Sequence, residues 1–445
     1  MEGSMMTAVV VGAGRSGMAA CRLLHAKGAK VRLLEQKAES IRADFKAWAD
    51  EAGLEIVCGP HETAHFADAD IVVPSPAAAL ASLKPFLPAD RTVEVMAEME
   101  LAWREIAQHD KPEGVLAVTG TSGKTTTVSL CAAMLEAHGH KVFLGGNIGT
   151  PLSEYVLACR EGATRADVLV LECSSFQLQT CSSFRPHVAM LLNISENHLD
   201  FHADMAEYIE AKGHIFHCQG EDDFAIFGAG LEAIEAQYMA PILAKTKAHV
   251  QHLPSLAKHE KLFPDCKLFG AHNQSNMQAA WQATKPFGVT EEDARRAVAA
   301  FAPIENRLEL VAEKDGVVYV NDSKCTTVSA LKVALEAFDK PVLLLAGGKF
   351  KGGDLVGLIP LVKEHVRMVG LFGASRERFE EAWDGVVPMW WEPNLEAAVE
   401  HMSQQAQAGE VVLLAPATAS FDLFTSYIHR GSVFRDAVRG LVEKA

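Results

Sequence analysis

The segment from Val115 to Leu135, VLAVTGTSGKTTTVSLCAAML, constrains this chain more than any other. The apolar run at 115–118 predicts a buried strand, and the apolar residues between 128 and 135 recur at helical spacing. The glycine-rich turn between them should therefore lie at a helix N-terminus, where free backbone N–H groups and the helix dipole bind anions. The pattern predicts a nucleoside triphosphate site.

The residues of this turn fit the chemistry of a phosphate loop. Lys124 would place a positive charge beside the β- and γ-phosphates, and the Thr125 hydroxyl could hold Mg²⁺. The motif is a variant, because Val118 stands where the common phosphate loop has its first glycine. The alternative is a glycine-rich turn with an incidental lysine. The predicted ATP-binding residues of the turn are Gly120, Thr121, Ser122, Gly123, Lys124, Thr125 and Thr126.

Length and composition narrow the class of protein. With 445 residues and roughly 150 per domain, we expect three domains, at 1–106, 107–303 and 304–445. The formal net charge of −16 argues against nucleic acid or anionic membrane as a partner. Nine cysteines without a CxxC pair favour a reducing cytoplasm, and no apolar run approaches the ~20 residues that span a bilayer. We therefore expect a cytoplasmic protein. We also expect a monomer, although composition does not determine the oligomeric state.

The first segment carries a second nucleotide-binding pattern. The β-rich run Thr7–Val11 precedes Gly12, Gly14 and Gly17 in GxGxxG spacing, and Glu35 ends the next apolar run. This pattern is typical of a dinucleotide-binding βαβ unit, although another nucleotide diphosphate or plain packing would also explain it. Two nucleotide sites in one chain suggest that one nucleotide is a part of the substrate by which it is bound, and that the other supplies the energy for the reaction. We therefore expect neither NAD nor FAD.

Polar side chains follow two further apolar runs of the central segment. Val168–Leu171 ends at Glu172, and Val188–Ile194 leads to His198. Runs that are apolar on both faces belong in a parallel sheet covered by helices. If both strands flank the 115–118 strand, Glu172 and His198 emerge beside the phosphate loop and suit Mg²⁺. The alternatives are a helix-capping role for Glu172 and an incidental His198.

Lys212 is the least expected residue of the central segment. It lies in the middle of an apolar stripe, three residues from both Ile209 and Ile215. Because a buried unpaired ammonium is costly, Lys212 must extend to solvent, be paired or be chemically altered. The residues alone leave these three possibilities open.

Three strand-like runs of the last segment end in loops of small, hydroxyl-bearing and cationic residues. The runs lie at 317–320, 343–346 and 411–414, and they predict a Rossmann-like domain whose ligand edge binds an acidic molecule. Thr326, Lys351 and Ser420 would suit a carboxylate-bearing amino acid, with Tyr427 as an aromatic wall. Each could instead be an ordinary loop or cap residue.

Several motifs together resemble the Mur ligase family. They are TGTSGKTTT, SSFQL, NDSKxT, GGxxKxxD and APAxASFD, and they are most similar to the members that add D-glutamate. The resemblance implies an α/β fold of three Rossmann-like domains, the central one a P-loop-type ATPase with a mainly parallel sheet. Ala77 stands where the family usually has glycine, so no diphosphate contact is assigned there.

The resemblance also implies an activity and its substrates. These are ATP, UDP-N-acetylmuramoyl-L-alanine and D-glutamate, joined through an acyl phosphate, with Mg²⁺ at two sites. Lys212 would be carbamylated by CO₂ and become an anionic magnesium ligand. The implied catalytic residues are Lys124, Glu172, His198, Lys212 and Arg307. The implied metal ligands are Thr125, Glu172, His198 and Lys212.

Further binding residues follow from the same resemblance. Besides the phosphate loop, the implied ATP contacts are Asn276 near the adenine, Arg307 and Asp322. The implied contacts to the UDP-substrate are Gly14, Arg15, Ser16, Gly17, Glu35, Asn147 and Ser174. The implied D-glutamate contacts are Thr326, Lys351, Ser420 and Tyr427.

Two other functions remain open from the sequence. A folylpolyglutamate synthetase uses the same ATP chemistry on a folate, but its pattern lacks a full N-terminal GxGxxG domain. The second alternative is a nucleotide-responsive binding protein without turnover. Residues from about 220 to 268 carry the weakest signals and indicate no function.

Overall fold

Three β-sheets organise the chain, and helices cover them. The computed structural model describes residues 5–76, 78, 80–109, 112–198, 201–244, 246–257 and 260–443, so Ala77 lies outside the described residues. The predicted fold class, α/β with three Rossmann-like sheets, is confirmed. Among the described residues no helix has the length and apolar character needed to cross a membrane.

The first sheet has the strand order β3-β2-β1-β4-β5, and all of its strand pairs are parallel. This is the order of a dinucleotide-binding sheet, which binds ligands where the order reverses, here between β1 and β4. Its strands are β1 Thr7–Val11, β2 Lys30–Glu35, β3 Glu55–Cys58, β4 Ile71–Pro74 and β5 Glu94–Val95. The helices of this part are α1 Arg15–Ala26, α2 Ala43–Glu51, α3 Leu80–Leu83 and α4 Glu98–His109.

The second sheet is parallel throughout, in the order β11-β10-β9-β6-β8-β7. Its strands are β6 Gly114–Thr119, β7 Val142–Gly146, β8 Val168–Glu172, β9 Val188–Leu191, β10 Phe224–Phe227 and β11 His249–His252. The helices are α5 Lys124–His138, α6 Leu152–Arg160, α7 Ser175–Leu178, α8 Met205–Gly213, α9 Glu232–Ile234, α10 Ala240–Leu243, α11 Ala271–Thr284 and α12 Glu291–Ala300. Strands β6, β8 and β9 are buried along their whole length, as their continuous apolar runs predict.

The third sheet has the order β12-β13-β17-β14-β15-β16, and only its β12–β13 pair is antiparallel. Its strands are β12 Glu309–Lys314, β13 Val317–Asn321, β14 Val342–Gly347, β15 Val366–Phe372, β16 Met389–Glu392 and β17 Val411–Leu414. The helices are α13 Val328–Leu335, α14 Ile359–His365, α15 Arg376–Trp383, α16 Leu395–Gln405 and α17 Tyr427–Glu443.

The chain forms two compact units. The first comprises residues 1–255 and 276–298 and contains the first two sheets, and the second comprises 256–275 and 299–445. In the first unit, buried side chains of α1, α4 and α6 belong to one apolar core together with residues of both sheets. The three predicted domain ranges remain predictions, because neither unit corresponds to one of them alone.

The apolar run Val188–Ile194 forms a shorter strand than its composition predicts. The strand β9 ends at Leu191, and the backbone N–H of Leu192 still donates to Thr119 O at 3.0 Å. The next residues then turn toward the phosphate loop, which Asn193 contacts through both its backbone and its side chain. Hydrogen bonds to that loop, rather than hydrophobicity, therefore decide where the strand ends.

Gly17 is required by packing at the start of α1. A Cβ added to this residue would lie 2.0 Å from Gly12 O, a backbone atom that cannot rotate away. A Cβ added to Gly14, in the same loop, would have Ser75 Oγ as its nearest neighbour at 3.8 Å, and Gly14 has a negative φ of −66°. The two glycines therefore differ in the space around them.

We predict that Gly17→Ala lowers the thermal unfolding midpoint, because overpacking against backbone costs about 1–3 kcal/mol. Differential scanning calorimetry of the intact protein measures the shift. Gly14→Ala is the matched control and should leave the midpoint nearly unchanged. An unchanged midpoint for Gly17→Ala would show that the turn relaxes without cost.

Candidate active site

The phosphate loop, Gly120–Gly123, connects β6 to α5 and depends on two glycines with positive φ. Gly120 has φ +149° and Gly123 has φ +81°, conformations that L side chains rarely adopt. A Cβ on Gly123 would lie 2.5 Å from Asn276 Oδ1, and Asn276 also accepts a hydrogen bond from the Thr127 hydroxyl at 3.4 Å. The predicted ATP residue Asn276 is therefore buried against the first turn of α5.

Asn193 holds this loop from the neighbouring strand. Its side-chain Oδ1 accepts from Ser122 N–H at 2.9 Å, and its Nδ2 donates to Ser122 O at 3.1 Å. Its own carbonyl accepts from Thr121 N–H at 3.0 Å. Asn193 is not among the residues predicted from the sequence, although a polar residue just after a buried strand was a signal that could have indicated it.

Glu172 is the last residue of β8, and the sequence predicts a metal site at this end of the strand. The register pairs it with Val118 of β6, so its carboxylate emerges beside the phosphate loop. The Thr125 hydroxyl donates to Glu172 Oε2 at 2.8 Å, and Asn147 Nδ2 donates to Oε1 at 2.8 Å. Both oxygens are thus oriented by side chains that follow different strands. The sequence prediction that Thr125 and Glu172 come together is supported by this contact.

Lys212 is 2% exposed, as its position in an apolar stripe indicates. Its Nζ donates to Gly120 O at 3.0 Å and to Thr119 Oγ1 at 3.4 Å, and it lies 4.7 Å from the centroid of the Tyr208 ring. Burial, and next the positive charge of Lys124, hold the pKa of Lys212 well below its usual range. The 2% exposure excludes a solvent-reaching side chain, and no carboxylate of the described residues lies within ion-pair distance of Lys212.

The other two predicted catalytic residues of this unit differ in their surroundings. Lys124 Nζ donates to the carbonyls of Gly120 and Thr121 at 2.8 and 3.0 Å, so it lies over its own loop. His198 is exposed, has a left-handed backbone with φ +56°, and its ring centroid lies 5.1 Å from that of Phe176. The structure thus brings Lys124, Thr125, Glu172 and Lys212 to the phosphate loop and leaves His198 on the adjacent exposed segment.

The first sheet positions its predicted substrate residues at the end of β1. Glu35 Oε2 accepts from Ala13 N–H at 2.7 Å, so this carboxylate closes the glycine-rich turn. Arg15 donates to both carboxylate oxygens of Glu154, at 3.0 and 2.7 Å, and to Gly149 O at 2.7 Å. The Arg15 side chain is therefore engaged with the loop that carries Asn147, a contact that no local sequence pattern indicates.

The remaining predicted substrate residues have local roles. Gly14 is the residue before α1, Ser16 lies in its first turn, and Gly17 packs on the turn. Ser174 caps α7, because its hydroxyl accepts from Gln177 N–H at 3.3 Å and donates to Gln177 Oε1 at 2.9 Å. Their contacts with a substrate remain predictions.

In the second unit, Arg307 and Asp322 lie near each other. Asp322 follows β13, and its Oδ1 accepts from Leu308 N–H at 3.3 Å. Burial raises the pKa of Asp322 to about 7, and the Leu308 N–H and then the Arg307 charge act in the opposite direction. The role predicted for both residues in ATP binding remains a prediction.

The four predicted amino-acid contacts lie on the loops at one edge of the third sheet. Ser420, in the loop after β17, is 2% exposed, and Lys351, after β14, is exposed. Thr326 follows β13 and is half-buried, and Tyr427 begins α17 with Lys324 Nζ 3.9 Å from its ring centroid. Because β13, β17 and β14 are neighbours in the sheet, the loops after them share one edge.

Comparisons with known proteins agree with this geometry. The Mur ligase middle domain model matches residues 118–284, and the model described as Mur ligase, glutamate ligase domain matches 306–418. A UDP-N-acetylmuramoylalanine–D-glutamate ligase of Nitratidesulfovibrio vulgaris is 64% identical over 434 residues, which is 98% of this chain and 96% of that protein.

Two further matches extend the comparison. A ligase of the same name from Lawsonia intracellularis is 50% identical, covering 100% of this chain and 96% of that protein. Among solved structures, a MurF ligase from Thermotoga maritima in complex with ADP has a TM-score of 0.62 at 17% identity, with 93% of this chain and 95% of that chain covered. Since its sequence matches such relatives over nearly its whole length, the chain belongs to the Mur ligase family.

Proposed function

We propose that this protein joins D-glutamate to UDP-N-acetylmuramoyl-L-alanine in an ATP-dependent amide-forming reaction of peptidoglycan precursor synthesis. The observation that carries the proposal is the 64% identity, over 98% of the chain, to a ligase named for that reaction. The phosphate loop and the polar groups around Glu172 support the use of ATP, and the ADP bound by the related MurF ligase agrees with it.

The chemistry explains why the site needs a phosphate loop. A carboxylate cannot be aminolysed directly at useful rates, because hydroxide is a poor leaving group. The γ-phosphoryl group of ATP is therefore first transferred to the substrate carboxylate. The amine of D-glutamate then attacks the acyl carbon, a C–N bond forms, and inorganic phosphate leaves. Lys124 and the loop N–H groups stabilise the phosphate charge, and Arg307 is proposed to contribute a further cation.

The residues at the loop fit a magnesium ion if Lys212 is modified. Thr125 and Glu172 offer the hard oxygen ligands that Mg²⁺ prefers. An ammonium at Lys212 would repel the cation, whereas a carbamate would add an anionic oxygen. The proposed ligands are therefore Thr125, Glu172 and carbamylated Lys212, with His198 as a further candidate. When bound, Mg²⁺ would neutralise charge on the phosphate oxygens.

The burial of Lys212 supports its carbamylation. A side chain that is 2% exposed and has no carboxylate partner among the described residues gains from conversion of its amine. In that reaction the amine nitrogen bonds to CO₂, a proton leaves, and the product carries one negative charge. This change would replace the buried amine by an anionic oxygen donor beside the phosphate loop.

We predict that the protein releases phosphate from ATP only when both UDP-N-acetylmuramoyl-L-alanine and D-glutamate are present. The measurement is phosphate release across a panel of amino acids, with L-glutamate as the stereochemical control. Release that depends on a folate acceptor instead would support the folylpolyglutamate alternative. Absence of release with every combination would support a binding protein without turnover.

We predict that Asn193→Ala raises KM for ATP about tenfold, because the variant loses two hydrogen bonds that hold Ser122. Asn193→Asp is the matched variant. It keeps an acceptor for Ser122 N–H but loses the donor to Ser122 O, so its KM should lie between those of wild type and Asn193→Ala. Steady-state kinetics at saturating co-substrates provide the test. Equal KM values for all three proteins would contradict the role of Asn193.

We predict that the mass of the intact protein, measured without acidification, exceeds the sequence mass by one CO₂, and that acid removes the difference. Lys212→Ala should be inactive and should regain part of its activity with added formate, which supplies a carboxylate in the vacated space. Lys247→Ala is the control, because the Lys247 side chain is 70% exposed. An unmodified mass together with formate-independent activity of Lys212→Ala would refute the carbamylation.

A further inference from the structure

Arg430 is an unusual residue of α17, because it is a cation with 0% exposure. No carboxylate of the described residues lies within ion-pair distance of its guanidinium. Burial lowers the pKa of Arg430 to about 10, which leaves it charged at neutral pH. A buried charge without a close counter-ion is costly unless its donors are used, so the contacts of Arg430 indicate why it is there.

The guanidinium joins two of the loops that carry the proposed amino-acid contacts. Its Nε donates to Ser323 Oγ at 3.0 Å, and its Nη2 donates to Ser323 O at 2.9 Å and to Thr418 O at 3.1 Å. Ser323 follows β13 in the loop that leads to Thr326, and Thr418 lies after β17, two residues before Ser420. One planar group therefore spans both loops.

The third loop is attached to the same network by backbone contacts. Lys349 N–H donates to Ala419 O at 2.8 Å, and Ala419 N–H donates back to Lys349 O at 3.0 Å. The Thr418 hydroxyl donates to Gly347 O at 2.6 Å. The loop that carries Lys351 is thus fixed to the loop that carries Ser420. A displacement of Thr418 would be transmitted to both.

Gly348 allows the loops to approach this closely. A Cβ added to Gly348 would lie 2.4 Å from Thr418 Oγ1 and 2.5 Å from Ala419 O, and φ is +132°. The same position would be 3.2 Å from Arg430 Nη1, an atom that is buried without a hydrogen-bond partner among the described residues. Of the guanidinium nitrogens, Nε and Nη2 donate to Ser323 and Thr418, whereas Nη1 has no hydrogen-bond partner among the described residues.

We propose that Arg430 is a positioning residue that sets the spacing of the three loops and thereby the affinity for the incoming amino acid. This inference rests on the proposed function, which places the carboxylate contacts of D-glutamate at Thr326, Lys351 and Ser420. Arginine suits the task, because its planar fork directs several donors at fixed angles, whereas lysine carries all its donors on one nitrogen. Because its side chain is 0% exposed, Arg430 would act through the loops and not by direct contact with the substrate.

The test is the kinetic effect of Arg430→Lys in the full-length protein. We expect KM for D-glutamate to rise about tenfold or more, because displaced loops would lose charge-assisted hydrogen bonds to the carboxylates of the amino acid. KM for UDP-N-acetylmuramoyl-L-alanine should stay near wild type, since its proposed contacts lie outside the network. KM for ATP should change less than KM for D-glutamate, because of the proposed ATP contacts only Asp322 adjoins Ser323. Arg439→Lys is the matched control on the same helix. Its side chain is 65% exposed, so all three constants should be unchanged.

Two further variants keep the inference testable if Arg430→Lys does not fold. Ser323→Ala removes the hydroxyl acceptor of Nε, and Gly348→Ala forces the loops apart while Arg430 stays. Both should raise KM for D-glutamate selectively, with thermal unfolding midpoints above the assay temperature. A uniform rise in all KM values, or a lower midpoint with unchanged KM values, would overturn the positioning role. Failure of the wild-type protein to use D-glutamate would instead refute the proposed function.

Discussion

The carboxylate of Glu172 is the group on which the central site depends. Thr125 from the start of α5 and Asn147 from the loop after β7 each donate to one of its oxygens at 2.8 Å. Parallel strands that are buried on both faces end at a common edge, so the residues that follow them meet there. Hydrogen bonds to both oxygens fix the orientation of this carboxylate beside the phosphate loop.

The charges around the phosphate loop explain how an acidic chain can bind polyanions. The formal net charge is −16, yet Lys124 lies over the phosphate loop and donates to the carbonyls of Gly120 and Thr121. Local cations and directed N–H groups thus outweigh the overall charge at the short distances that matter for binding. Lys212 is buried without a carboxylate partner among the described residues, and the cost of that burial is the physical reason to propose its conversion to an anion.

In the third sheet, hydrogen bonds also hold the loops that follow the strands. Its ligand-edge loops after β13, β14 and β17 are joined by hydrogen bonds from one buried guanidinium and by a backbone pair between Lys349 and Ala419. Such loops have no regular structure of their own. The distance between them is therefore set by the buried side chain to which they are hydrogen-bonded. A ligand site on these loops would therefore depend on a side chain that is 0% exposed, that of Arg430.

The sequence by itself determined the strands that precede the main predicted loops. The predicted runs Thr7–Val11 and Val411–Leu414 are strands with those bounds. A strand that is buried on both faces consists of nearly continuous apolar residues, so its sequence shows where it lies. Only the tertiary structure decided the contacts of Arg15 with Glu154, 139 positions away, and the end of β9 at Leu191. Hydrophobic periodicity is a local property of the chain, whereas a polar partner is chosen by which strand ends become neighbours in the folded sheet.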